Sequence, residues 1–321
     1  MGNSNIPYQL VDKGEYKMKR VIIFGGSGTF GTAMTKRIVD ETDLIIHFDR
    51  DEKNQYNSKQ ELSNKNIIRV IGDIRDKEAV DNCIKIYKPD TIMLASAMKH
   101  IDKCELYPDE CKKTNINGCI NVINSAIEND IPKLVFLSTD KATNPTTIYG
   151  CSKLFVEMYI QDIDSRNTTL LTTRYGNVLG SNGSVLDIWK RQRDKGEPLS
   201  ITNPNMTRFF MPISGKYGAV DLVLYAIENG QNKDLWIYKN KGCTVKDLAD
   251  LISTNQIEIG LRCEEKNDEA LATIHELNHS KIHKDIYYQI NKDIQSEIEY
   301  TEPLTSYNCE KYTKEELREL L

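Results

Sequence analysis

The chain has 321 residues, 39% of them apolar and 28% charged, which suits a globular protein with one sizeable core and a smaller second lobe. A formal net charge of -5 argues against a nucleic-acid-binding surface, and no apolar run approaches the roughly 20 residues that cross a bilayer. The eight cysteines show no Cys-x-x-Cys spacing and read as reduced thiols, so a cytoplasmic protein without a disulfide frame or zinc site is expected.

Residues 1–18 read as a polar extension ahead of the fold. It lacks the apolar centre of a signal peptide, and Ile6 stands where a myristoylation signal needs Ser or Thr. Val21, Ile22, Ile23 and Phe24 form a short buried strand. Gly25, Gly28 and Gly31 follow at three-residue spacing, with Thr29 and Phe30 between the last two, and 32–40 has helical character. Strand, glycine turn and helix start are what a dinucleotide phosphate site requires, because glycine lets the backbone approach the pyrophosphate at a helix N-terminus.

The second strand, 44–48, ends in Asp49 and Arg50. An acidic residue there binds the ribose diol of NAD, whereas an arginine accommodates the 2′-phosphate of NADP, so both cofactors are open. A third strand, 67–71, leads to Asp73 and Ile74. Asp73 is placed to accept from the adenine amino group, with a plain helix N-cap as the competing reading. After a fourth strand, 90–94, the small Ala95, Ser96 and Ala97 suit close passage beside a cofactor, and Lys99 and His100 come next. A helix is expected over 115–126.

The apolar run 134–137 predicts a central parallel strand, which puts residues 138–141 at its carboxyl end, where open α/β sheets hold ligands. Tyr149 and Lys153 are four apart, on one face of a helix starting near Tyr149. A cation near a phenol favours phenolate, so Tyr149 is a candidate to take a proton from a sugar hydroxyl during hydride transfer. Asp140 and Lys141 supply an acid and an amine beside it. Elimination of water next to a ketone needs such a pair, one group removing a C–H proton and the other protonating the leaving hydroxyl. A solvated charged loop is the plainer alternative.

A sixth strand, 168–173, completes the alternation of strands and helices, which means a doubly wound parallel sheet of Rossmann type. Beyond it lie a loop at 180–184, a helix through Trp189, a helix over 217–229, a strand at 235–238 and a helix over 244–253. We expect a dinucleotide-binding domain over 19–180, rejoined by about 216–247, and a substrate lobe from 181–215 and 248–321. His275, Glu276 and His279 spell H-E-x-x-H, with His283 four residues on. The nucleotide fold around them argues against a zinc hydrolase, and no metal is expected.

Together these residues resemble the extended short-chain dehydrogenase/reductases. More narrowly, the chain over 19–321 is similar to the soluble, inverting UDP-N-acetylglucosamine 4,6-dehydratases of polysaccharide biosynthesis. The similarity rests on the glycine loop 25–31, Ala-Met-Lys-His at 97–100, the run 138–153, Arg-Tyr-Gly-Asn-Val at 174–178, Met-Thr-Arg-Phe at 206–209 and Gly-Leu-Arg-Cys-Glu-Glu-Lys at 260–266. The resemblance implies hydride transfer at Tyr149 and Lys153, inverting dehydration at Asp140 and Lys141, and help to the reacting hydroxyl from Thr139. It also implies substrate contacts at Lys99, Asn177 and Glu265, with Arg208 and Arg262 on the UDP diphosphate. The sequence departs from the family at Cys263-Glu264, where Pro-Gly is usual, and at Asp49, where Ser is common. The implied cofactor is NADP, with NAD possible; the implied substrate is UDP-GlcNAc, handled by a homo-oligomer with no nucleic-acid or membrane partner. A 4-epimerase, or a retaining 4,6-dehydratase acting on another UDP-hexose, is the alternative.

Overall fold

The computed structural model describes residues 16–180, 184–215, 217–262 and 264–320. The expected loop residues 181–183 and the Cys263 departure fall outside them, as does most of the 1–18 extension. Its last residues already belong to the fold. The Tyr16 hydroxyl donates to the Asp90 carbonyl at 2.8 Å, and its ring lies under the Lys133 amine.

A nine-stranded sheet organises the chain. In spatial order its strands are Ser280–His283, Tyr287–Ile290, Leu235–Tyr238, Thr169–Arg174, Lys133–Leu137, Thr91–Leu94, Arg20–Phe24, Leu44–Asp49 and Ile67–Ile71. The seven from Leu235–Tyr238 to Ile67–Ile71 run parallel. Both faces of the central strands are covered, which explains their continuous apolar runs. One face packs Ile22, Phe24, Ile92 and Phe136 against Val122, Ile123 and Val156; the other packs Val21, Ile23, Met93 and Val135 against Met34, Val220 and Val223. The doubly wound parallel expectation therefore holds, with an antiparallel hairpin added at one edge.

That hairpin changes the expected division of the chain. Residues 280–290 fell in the range assigned to the substrate lobe, yet they extend the nucleotide-binding sheet. Their polar appearance hides satisfied pairs: buried Gln289 donates to Asp234 Oδ2 at 2.7 Å and is within 2.7 Å of His283 Nε2. The lobe itself is built from small sheets. Thr207–Met211 pairs with Asn177–Val178 and Gly242–Thr244, Leu199–Ile201 with Gln256–Glu258, and Ala270–Ala272 with Leu304–Thr305. Trp189, Leu199, Phe210, Leu248 and Leu317 form its core.

The expected 115–126 helix is two pieces, a π-helical turn Lys112–Gly118 and an α-helix Cys119–Glu128. Asn115 accounts for the wider turn. Its amide is drawn inward, taking the Met98 N–H at 2.8 Å and donating to the Met98 carbonyl at 3.0 Å and Ser152 Oγ at 3.1 Å. Such turns cluster where a helix must present a side chain sideways, next to functional loops.

Candidate active site

The glycine loop leaves the first strand with Gly25 at φ +85°, a conformation that costs glycine little. A Cβ there would sit 3.0 Å from the Ser96 amide nitrogen, so the Ala95–Ser96 backbone lies directly against the loop. A Cβ on Gly31 would meet the Gly26 carbonyl oxygen at 2.5 Å, so the helix Thr29–Ile38 starts hard against the turn. Gly28 caps that helix without a side-chain hydrogen bond, which leaves its first N–H groups for an anion. The residues present thus fit a dinucleotide pyrophosphate. Phe30 packs into the core beneath the loop, and the Ile74 side chain is a core residue seated under Gly118.

Buried His47 packs against Gly26 and shares a 2.7 Å hydrogen bond with Thr35 Oγ1. Burial, aided by the nearby Arg69 charge, lowers its pKa from 6.5 to about 4. The unfolded chain takes up this proton near 6.5 and the folded chain only near 4, so stability falls as pH drops through that window. Denaturant midpoints measured against pH should show this loss, and His47→Asn should flatten it.

Asp49 is engaged with the loop: Oδ2 accepts from Ser27 Oγ at 2.6 Å and from the Ser27 N–H at 3.3 Å, and Oδ1 from the Asp51 N–H at 3.2 Å. Arg50 reaches Asp73 at 3.3 Å, and Arg75 holds the same carboxylate at 2.7 Å. Burial works against the Asp73 charge, but Arg75 and Arg50 keep its carboxyl below the usual range. The competing cap reading for Asp73 does not hold. Asp76 caps the following helix, accepting from the Ala79 N–H at 3.1 Å.

Strand Lys133–Leu137 delivers Ser138 to Lys141 into a tight turn at the sheet's carboxyl edge. The turn is pinned by its backbone: Ser138 N–H donates to the Thr173 carbonyl at 2.7 Å and Asp140 N–H to that of Tyr175 at 3.0 Å. Helix Ile148–Asp162 follows, capped by Thr147. Its second residue is Tyr149 and its third Gly150, where a Cβ would stand 2.3 Å from the Lys141 carbonyl oxygen. Only glycine lets the helix press against the turn that closely. Gly150→Ala should therefore destabilise the fold by about 1–3 kcal/mol despite alanine's better helix propensity, because the clash is with backbone. Urea midpoints of the two proteins check this; an unchanged or raised midpoint would refute it.

The geometry gathers Thr139, Asp140, Lys141, Tyr149 and Asn177 in one place. Lys141 Nζ donates to Asp140 Oδ1 at 3.0 Å and to Asn177 Oδ1 at 3.2 Å. Thr139 donates to Asp140 Oδ1 at 3.0 Å and lies close enough to the Tyr149 phenol to act on its ionisation. Asp140 is fully buried, and its Oδ2 has no hydrogen-bond partner among the described residues. Burial raises the Tyr149 pKa, the Asp140 carboxylate adds to the rise, and Thr139 opposes it. Burial lowers the Lys153 pKa, and its amine donates to the Leu137 carbonyl at 2.8 Å. Burial disfavours charge on Lys141 too, but Asp140 and Glu269 outweigh it and raise its pKa.

The two expected substrate arginines differ in setting, and Arg208 is close enough for its charge to act on Lys141. Arg208 is buried and donates to the carbonyls of Thr207 at 2.7 Å, Asn267 at 3.2 Å and Lys266 at 2.8 Å. Arg262 is exposed, and its N–H donates to Glu265 Oε2 at 3.1 Å. Lys99, beyond the fourth strand, feels the charge of Asp187 in helix Val185–Asp194. Glu276 of the H-E-x-x-H run closes a capping box with Thr273 and bonds Arg174 at 3.0 Å, so its carboxylate is already committed.

This arrangement can be set beside known proteins. The profile of the polysaccharide biosynthesis protein family matches residues 21–291. The chain belongs to that family. It is 36% identical over 330 residues to a UDP-glucose 4-epimerase of Rickettsia conorii, covering 94% of this chain and 95% of that protein. The X-ray structure of Pen from Bacillus thuringiensis matches this family member with a TM-score of 0.86 at 31% identity, over 96% of this chain and 99% of that one. DesIV, a dTDP-glucose 4,6-dehydratase of Streptomyces venezuelae with NAD and TYD bound, shares the fold at a TM-score of 0.70 and 16% identity, over 77% and 86% of the two chains.

Glu269 is the functional candidate that sequence reasoning missed. It is buried, and its Oε1 lies 3.7 Å from Lys141 Nζ. An acidic residue immediately before the apolar run 270–272 was the available signal.

Proposed function

We propose that this protein is an extended short-chain dehydrogenase/reductase that dehydrates a UDP-sugar, UDP-GlcNAc, at C4–C6 with inversion at C5. The observation that carries this reading is the Asp140–Lys141 contact at 3.0 Å beside Tyr149. Oxidation and reduction at C4 alone need only Tyr149 and Lys153; the acid–amine pair suits a second proton transfer.

The nicotinamide, when bound, supplies a reversible hydride acceptor for C4 and donor for C6. Tyr149 removes the proton of the C4 hydroxyl. Burial has raised its pKa, so a positive charge beside the phenol is needed to make it a working base. Lys141 takes the C5 proton, made acidic by the C4 ketone. Asp140 protonates the C6 oxygen, and water leaves. These roles need a neutral amine and a protonated carboxyl, whereas the resting pair favours ammonium and carboxylate. Moving one proton along the Nζ–Oδ1 hydrogen bond converts one state into the other without exchange with solvent.

The cofactor reading turns on Asp49. Its three bonds to Ser27 and Asp51 hold a carboxylate beside the glycine loop, and a 2′-phosphate of about two negative charges would meet it there. Arg50, the group that would favour NADP, is engaged with Asp73. Titration of the protein should give tighter binding of NAD⁺ than of NADP⁺, and Asp49→Ser should narrow or reverse the gap. Tighter NADP⁺ binding by the unaltered chain would reject this assignment.

A 4-epimerase is the second reading, favoured by the name of the Rickettsia relative. Incubation with UDP-GlcNAc in deuterated water separates the two. Dehydration lowers the product mass by one water and places deuterium at C5; epimerisation changes neither the elemental composition nor C5.

A further inference from the structure

Lys141 lies between two buried carboxylates, and the mechanism above uses only one. Glu269 approaches from the lobe, its Oε1 3.7 Å from Lys141 Nζ and its Oε2 3.4 Å from Lys266 Nζ. Its backbone is fixed on both sides. The Glu269 N–H donates to Ser306 Oγ at 3.0 Å, and the Ser306 N–H returns to the Glu269 carbonyl at 2.8 Å. Lys266 in turn donates to the Asn144 carbonyl at 2.7 Å, in the loop that follows Asp140 and Lys141. Glu269 Oε2 is buried and has no hydrogen-bond partner among the described residues, meeting Lys266 only as an ion pair. A buried carboxylate is costly unless cations balance it, and here the Lys141 and Lys266 amines do so, one at each oxygen.

We propose that Glu269 is a positioning residue for the dehydration, holding the Lys141 amine in line with Asp140 and balancing its charge each time it gains a proton. This rests on the dehydratase reading. When Lys141 takes the C5 proton it becomes ammonium, and when Asp140 gives up its proton to the leaving oxygen it becomes carboxylate. Glu269, 3.7 Å from the amine, stabilises the intermediate state in which the amine is protonated before the pair has reset. The other charged or titratable groups facing the pair are Arg208, Lys266 and Tyr149. Arg208 opposes the Lys141 charge, so Glu269 and Asp140 act against it.

The test is the pH dependence of deuterium entry at C5, which reports the Asp140–Lys141 pair as a bell with two macroscopic pKa values. Glu269→Gln removes a negative charge, which makes both protons of the pair easier to lose. The whole bell should move to lower pH by about one unit. Lys266→Met removes the opposing cation, and its bell should move to higher pH. A residue with a merely structural role would lower the plateau without moving the limbs, and could not give opposite shifts in the two variants. If Glu269→Gln does not fold, the Lys266→Met shift decides alone: an unmoved or downward bell overturns the proposal. Lys141→Met separates this from failure of the underlying reading. Full C5 exchange in that variant removes Lys141 as the C5 base, and product without water loss or C5 deuterium from the unaltered protein sinks the dehydratase reading itself, whereas a dead Lys141→Met with unmoved bells in the other two sinks only the role of Glu269.

Discussion

Lys141→Met should abolish formation of the 4-keto-6-deoxy product while leaving cofactor binding intact. A general base and acid each contribute about 10²–10⁴-fold, and Lys141 also carries the proton that readies Asp140, so the loss should lie at the upper end. The amine contributes nothing to the glycine loop and does not touch Lys153 or the Thr139–Tyr149 pair. Removal of the C4 proton by Tyr149 should therefore continue, and the reduced cofactor should accumulate in its near-ultraviolet absorbance instead of being consumed. Methionine leaves Asp140 buried without the amine that donates to it. Circular dichroism and cofactor titration establish that the variant is folded. Wild-type turnover by a folded Lys141→Met would remove Lys141 from the chemistry.

That expectation was readable in the residues because Asp140 and Lys141 are adjacent and follow a strand that announces itself. The runs 21–24 and 134–137 are apolar because the central strands are covered on both faces, and Tyr149 and Lys153 share a helix face by spacing alone. Local pattern carries information over one element and its flanking turns. It does not carry the partner that arrives from elsewhere. Glu269 meets Lys141 only because Thr143 Oγ1 bonds the Leu271 carbonyl at 3.3 Å and Arg174 donates to the same oxygen at 2.8 Å, drawing strand Ala270–Ala272 against the catalytic turn. The hairpin 280–290 escapes local pattern for a related reason. Its buried polar side chains are satisfied by residues of other elements, such as Asp234, so a polar sequence hides a strand. Arg208 shows the converse. The family motif implies a phosphate contact for this arginine, and local pattern does not show that its guanidinium is also bound to three carbonyls of the lobe.

Arg174→Met should cost the protein about 3–5 kcal/mol, the largest stability loss expected here. Arg174 is almost fully buried and joins three elements. It holds Glu157, one turn past Lys153 on helix Ile148–Asp162, at 2.5 Å, and Glu276 of helix Ile274–Asn278 at 3.0 Å. Burial alone would weaken its charge, but the two carboxylates more than offset this and raise its pKa. Burial likewise works against the Glu276 charge, and Arg174 reverses that and keeps its carboxyl below the usual range. Methionine fills much of the space but leaves the buried Glu157 and the partly buried Glu276 carboxylates without this cation. Their pKa values then rise above those of the unfolded chain, so the native state binds protons that the unfolded state has already released. The stability lost by Arg174→Met should consequently be greatest near neutral pH and shrink as pH falls toward the ordinary carboxylate range. Denaturant midpoints against pH measure this directly. Adding Glu157→Gln and Glu276→Gln to Arg174→Met should restore much of the stability at neutral pH, because no unpaired charge is left. If the single variant is equally destabilised at all pH values, or the triple variant is worse than the single one, then the network matters through shape and hydrogen bonds rather than charge, and the catalytic helix is tied to the lobe by packing alone.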